Sequence, residues 1–201
     1  PHLSRSTLFT MASLQVNDTP MSCNVVETAV IHSSTDIVWS LISNFNFSWW
    51  DLVDSVSFDN GGCAQSIGSH ATFKFKDGLS WTVEIVEYSN IKKSITFEVI
   101  HCDPPLPFTS VIQTISLSKV TLSNETFIQW VSDFSNDATA EVMTDSSYKR
   151  LDAFKNLSSV CKDLQELSFR VNDIEARSRS NSCVSSPRSR SSSMADLGSP
   201  H

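Results

Sequence analysis

The chain has 201 residues, 40% of them hydrophobic, with a formal net charge of −7, which is enough for one domain with a real core. Residues 175–201 carry Arg177, Arg179, Arg188 and Arg190 against Glu175 and Asp196, a local +2, so the preceding 174 residues hold −9. A body that acidic repels phosphate backbones and argues against nucleic acid as a partner.

Five cysteines without a CxxC pair or a repeated spacing argue against a disulfide framework. No stretch reaches the ~18 apolar residues of a membrane span, and no charged-then-apolar leader is legible. The expectation is a cytoplasmic protein with no stable membrane insertion, so the sequons at Asn17, Asn46, Asn124 and Asn156 are discounted. Residues 1–22 are polar and aperiodic and are expected to be disordered; Pro1 to Thr10 precede the first methionine, Met11, and are left out of the fold.

In chain order, Val25 to Ile31 form a β-rich run. Ser33, Ser34 and Thr35 then offer a helix cap, and Ile37, Val38, Leu41, Ile42 and Phe45 recur at helical spacing. A second short helical piece or turn is expected over 48–52, where Trp49 and Trp50 read as packing residues. Ser55 to Asp59 begins a series of strands. Strand 69–76 alternates Ala71, Phe73 and Phe75 with polar residues, and Asp77-Gly78 reads as a two-residue type I′ turn. Further strands are expected near 79–88, 93–101, 110–121 and 125–134, with Asp103 to Pro107 as a loop because proline cannot sit in a ladder. Met143, Leu151, Phe154, Cys161, Leu164 and Leu167 then mark a long amphipathic helix. From Ser178 to Ser199 serine dominates and little can be buried, so 175–201 is expected to be a disordered Ser/Arg-rich tail.

The order of elements predicts an α+β helix-grip fold over residues 23–174. A curved antiparallel sheet of about seven strands would wrap on the C-terminal helix, with two short helices after the first strand. Residues 24–168 resemble the START-like (SRPBCC) superfamily, which includes polyketide cyclases, lachrymatory-factor synthases and plant hormone-receptor proteins. The resemblance rests on Val30-Ile31 through Val38-Trp39 and Phe45, Trp50 before Val53, Gly68, Trp81 with Glu84, and Pro104 to Phe108. It continues through Ile112-Gln113-Thr114-Ile115 and closes with Thr126 to Trp130 and Phe134.

That resemblance implies a cavity for a hydrophobic small molecule, a lipid, sterol or polyketide, with no cofactor and no metal. Its lining would be Phe73, Phe75, Phe97, Val99, Val111, Gln113, Ile115, Ile128 and Trp130, with Met143, Leu151 and Phe154 from the helix. It also implies Glu84 in the cavity, as a ligand contact or, in a cyclase-, dehydratase- or isomerase-like enzyme, the general base. Alternation reads the other way: Leu79, Trp81, Val83 and Ile85 form the apolar set of that strand and leave Glu84 on the wet face unless a bulge resets the register. Ala71 and Val111 stand where the synthases carry arginine and tyrosine, and Asp54 stands where the receptors carry a ligand-binding lysine. A non-catalytic binder is therefore the first reading. In the tail, Ser182 and Ser193 follow arginines at short spacing and are expected phosphorylation sites, able to dock on a phosphoserine-reading partner.

Overall fold

The computed structural model describes residues 23–182. The elements are β1 (Asn24–Ile31), α1 (Thr35–Ser43), β2 (Val53–Phe58), a single 3-10 turn (Asp59–Gly61), β3 (His70–Phe75), β4 (Ser80–Ser89), β5 (Ser94–Asp103), β6 (Val111–Val120), β7 (Glu125–Phe134) and α2 (Ala140–Ser182). The seven strands form one sheet in the order β1-β7-β6-β5-β4-β3-β2. Strands β2 to β7 are a meander, and β1 closes the far edge by pairing antiparallel with β7 from Asn24↔Asp133 to Ile31↔Thr126. This is the helix-grip α+β fold that the order of elements predicts.

Strands β3 to β7 bury alternate side chains, the period that faces one side of a pleated ribbon toward a core. In β6 the buried set is Val111, Gln113, Ile115 and Leu117, and in β7 it is Thr126, Ile128, Trp130 and Ser132. Across that face lies α2, which buries Ser146, Arg150, Ala153, Phe154, Leu157 and Cys161 at steps of three and four, the stripe of a helix packed on one side. At ~1.5 Å per residue its 43 residues are about 64 Å long, roughly twice the reach of a ten-residue strand. Leu164, Leu167, Val171 and Ile174, beyond Cys161, are accordingly exposed. The expected domain boundary at 174 falls inside this helix. Ser182 is its last residue, and Ser193 lies outside the described residues, as do the N-terminal stretch 1–22 and the tail from 183 on.

Two local expectations are corrected. Only one short helix, α1, lies between β1 and β2 where two were expected, and the stretch 48–52 takes the turn that was the other reading of it. The sequence Asn44-Phe45-Asn46-Phe47-Ser48 makes two successive Asx turns, in which Asn44 Oδ1 accepts from the Asn46 amide and Asn46 Oδ1 from the Ser48 amide, both at 3.1 Å. Each turn puts its central phenylalanine in the left-handed region, φ 57° at Phe45 and 47° at Phe47. Such backbone costs on the order of 1–3 kcal/mol per residue. Burying both rings almost completely returns about 1.5–3 kcal/mol each, so packing holds the strain in place.

The β3–β4 turn is also not type I′. That type needs positive φ at both central residues, and here only Gly78 has it, at 90°. Gly78 N donates to Phe75 O (3.0 Å), and Phe75 N donates to Leu79 O (2.8 Å). This is the three-residue turn with glycine in the left-handed bulge position, fixed by Asp77 Oδ1 accepting from Leu79 N at 3.0 Å.

Candidate functional site

The gap between the sheet and α2 is occupied differently at its two ends. At one end the Asx-turn segment drives Phe45, Phe47, Trp49 and Trp50 into it. Phe45 meets Phe73 and Phe97 edge-on, with ring centroids 5.4 and 5.0 Å apart, and Phe47 lies 5.1 Å from Phe73 and 6.0 Å from Trp130. These are contact distances of packed aromatic rings. Asn156 on α2 fastens the segment, its Oδ1 accepting from the Asp51 amide at 3.0 Å.

The other end is open. The β5–β6 ladder stops at Glu98↔Ile112, while β5 continues to Asp103 beside β4 alone. An irregularity opposite Thr82 and Val83 leaves Ile100 outside the pairing. The Pro104 to Ser110 loop spans the resulting opening, held at its far side by Thr109 Oγ1 donating to Asp137 Oδ2 (2.7 Å) and by Ser110 N donating to Ser135 Oγ (3.0 Å). Below it lies a cavity of about 340 Å³, within the size range of small-molecule sites. Apolar walls come from Leu79, Trp81, Leu106, Phe108, Val111 and Phe134; Gln113 and Arg150 supply polar groups, and Glu141, Asp145, Ser146 and Lys149 line the α2 side. A side recess of about 40 Å³ between Trp50, Phe75, Trp81 and Lys149 adjoins it.

The sequence-predicted lining is thus divided. Val111 and Gln113 line the cavity, and Phe75 reaches the side recess. Phe73, Phe97, Val99, Ile115, Ile128, Trp130 and Phe154 face the gap but are buried in the filled core. Met143 is partly buried and does not line the cavity, and Leu151 is 38% exposed on the flank of α2. Glu84 is corrected outright: Val83 and Ile85 are fully buried on the inner face, while the Glu84 side chain is 43% exposed on the outer one, 3.8 Å from His70 Nε2. The irregularities in β4–β5 pairing fall on either side of the Val83–Ile85 stretch, so simple alternation decides its facing. Glu84 therefore cannot be a base for this cavity.

Sequence reasoning missed Arg150. It is 2% exposed, its Nε and Nη1 have no hydrogen-bond partner, and among the described residues it forms no ion pair. The nearby carboxylate of Asp145 is taken by Lys149 at 2.8 Å. The guanidinium instead lies on aromatic faces, Cζ being 4.2 Å from the Trp130 ring centroid and 5.5 Å from that of Trp50. Burial pushes its pKa down to about 9, with Asp145 opposing the shift, so it is a cation at neutral pH. A desolvated cation–π contact contributes about 2 kcal/mol, against an effective penalty of several kcal/mol for a buried ion and more for unmade hydrogen bonds. The rings offset only part of the cost. The legible signal was a charge on the buried stripe, at the step between Ser146 and Phe154.

Gln113 lines the same cavity as Arg150, and Trp130 is a neighbour of both side chains. Trp130 Nε1 (2.8 Å) and Ser132 Oγ (2.6 Å) both donate to Gln113 Oε1. Indole nitrogen can only donate, so the oxygen of the amide is fixed toward Trp130, and the NH2 is the end left for the cavity. Trp81 Nε1 and Ser146 Oγ, also on the lining, are buried without partners.

With this geometry established, comparison places the chain among known proteins. The polyketide cyclase / dehydrase and lipid transport family matches residues 22–158. The chain belongs to that family. Its fold is the START-like one, a ligand-binding architecture. Among solved structures, a protein from Nitrosospira multiformis is similar at TM-score 0.61 and 23% identity, covering 68% of this chain and 94% of that one. XoxI from Bacillus cereus aligns at TM-score 0.62 and 21% identity, covering 71% and 98%. Ginseng major latex-like protein 151 from Panax ginseng aligns at 0.55 and 16%, covering 68% and 95%. These likenesses show the shared fold. No curated protein matches the sequence. Among the described residues no helix is long and apolar enough to cross a membrane.

Proposed function

We propose that the protein binds a hydrophobic small molecule, of lipid or polyketide type, at the open end of the sheet–helix gap. The observation that carries this reading is the cavity of about 340 Å³ walled by Leu79, Trp81, Leu106, Phe108, Val111 and Phe134. Removing apolar ligand surface from water there contributes roughly 25 cal/mol per Å². The family's printed description, which pairs cyclase and dehydrase activity with lipid transport, supports the same class of ligand. Binding without catalysis is favoured over cyclase or dehydratase chemistry because the carboxylate named as the base, Glu84, lies on the opposite face of the sheet.

The test is native mass spectrometry of protein purified from its own cells, with organic extraction of what it holds, together with titration of decanol followed by tryptophan fluorescence, since Trp81 lines the cavity. The expected result is a stoichiometric apolar molecule, or saturable quenching that Leu106→Trp abolishes by filling the cavity. Absence of both a bound molecule and saturable quenching would overturn the reading.

A further inference from the structure

Among the described residues, five of the seven polar atoms left unpartnered in the interior gather at the cavity and its recess, the other two being Ser33 Oγ and Trp49 Nε1. Of the buried side-chain nitrogens and oxygens without a hydrogen bond, Arg150 Nε and Nη1, Trp81 Nε1 and Ser146 Oγ belong to residues on the cavity lining. A further one, Trp50 Nε1, belongs to the adjoining recess. Except for the serine hydroxyl, which can do either, all are obligate donors. The Gln113 amide adds two more N–H groups, because its oxygen is already occupied by Trp130 and Ser132. Apart from the Glu141 and Asp145 carboxylates on the α2 side, the polar groups of the lining are donors around a buried cation, which is complementary to an oxygen-rich anion.

From this arrangement we infer that the ligand is an apolar molecule bearing a carboxylate, which the Arg150 guanidinium and the Gln113 amide receive on the cavity wall while its hydrocarbon part lies against Leu106, Phe108 and Phe134. The inference rests on the binding reading above and names the chemistry of its ligand. Arginine suits the role because its planar fork matches the two carboxylate oxygens. The acidic groups on the lining do not supply the missing partner. Asp145 is paired with Lys149 and largely solvated, and Glu141 is exposed. The lining residues from β4, β6, β7 and the proline-containing loop include no titratable side chain.

The full chain is titrated with decanoate and decanol, and in parallel with naphthoate and naphthylmethanol, by calorimetry and tryptophan fluorescence. The expected result is that the acid binds about tenfold to hundredfold more tightly than the matching alcohol, the span of a hydrogen-bonded charge against a neutral group. Arg150→Met, which removes the charge and puts an apolar side chain in its place, is expected to abolish that preference, so that each acid and its matching alcohol bind with equal affinity. The linear and bicyclic pairs distinguish a fatty acid from an aromatic acid as the source of the carboxylate. Equal affinity for acid and alcohol in the wild-type protein would overturn the inference and leave the binding reading standing. A preference that persists in Arg150→Met would assign it to Lys149 and overturn it likewise. Binding of none of the four probes would overturn the inference, and, with nothing extracted from the native protein, would remove the binding reading as well.

Discussion

One sheet face and one helix enclose both ends of the gap, yet one end is a solid aromatic core and the other a cavity with a cation in its wall. The strands do not make this difference, since β3 to β7 present apolar side chains toward both ends. It is made by connections outside the ladder. The Asn-Phe-Asn-Phe turns insert two rings that fill the gap, whereas the proline-containing loop bridges its opening and lends Leu106 and Phe108 to the wall. In this chain the closed end is therefore set by the segment after α1, and the buried charge of the cavity by Arg150 on α2. The residues that line a gap and those that decide whether it is empty belong to different parts of the chain.

The strongest way to break the contrast is to hollow the closed end. Phe47→Ala removes a buried ring that touches Phe45, Phe73, Trp49 and Trp130, and is expected to cost about 3–5 kcal/mol in urea denaturation while leaving the open cavity's probe affinities within a few-fold. Loss of less than ~1 kcal/mol would show that the aromatic segment is not packed as described.

At the open end the sign reverses. In the absence of ligand, Arg150→Met is expected to leave stability unchanged or to raise it by about 1–4 kcal/mol, because an uncompensated buried charge is replaced by an apolar side chain. A clear loss in the same urea experiment would mean that the two indole contacts outweigh the desolvation of the guanidinium.

The smallest effect concerns the loop over the cavity. Hydrogen bonds from Ser135 and Thr109 lower the Asp137 pKa from 3.8 to about 2. The unfolded chain thus binds the proton more readily than the folded one, and the stability this group contributes is present above about 3.8 and lost as pH falls toward about 2. The difference in melting temperature between wild type and Asp137→Asn is expected to shrink over that window and to stay constant from mildly acidic to neutral pH. A difference independent of pH would detach the carboxylate's charge from the loop's anchoring.

Much of this was legible in the residues. Alternation located the strands to within a few positions, because a half-buried ribbon must repeat every two residues. The facing of Glu84 was legible in the same way, and the apolar parity of Leu79, Trp81, Val83 and Ile85 outweighs the position suggested by resemblance. The turn at Asp77-Gly78 was recognisable as a turn, but its length depended on Lys76 N donating to Leu52 O at 3.0 Å, a contact from another part of the chain.

What composition and pattern determined by themselves was the fold: a meander, a capping helix and one long amphipathic helix leave a single way to cover the apolar face, and local periodicity dictates each element. Which buried side chains became wall and which became filling was decided only in three dimensions. Phe45 and Phe73 look alike in sequence, and nothing local says that one enters the gap from a strained turn to close it on the other. Likewise Arg150 reads as an ordinary helical arginine until α2 is laid on the sheet, where Trp130 and Trp50 meet its guanidinium but leave its N–H groups facing an unfilled demand for an acceptor. Burial is a property of the assembled neighbours, and the cost of burying a charge, which makes this residue informative, arises only when they are assembled.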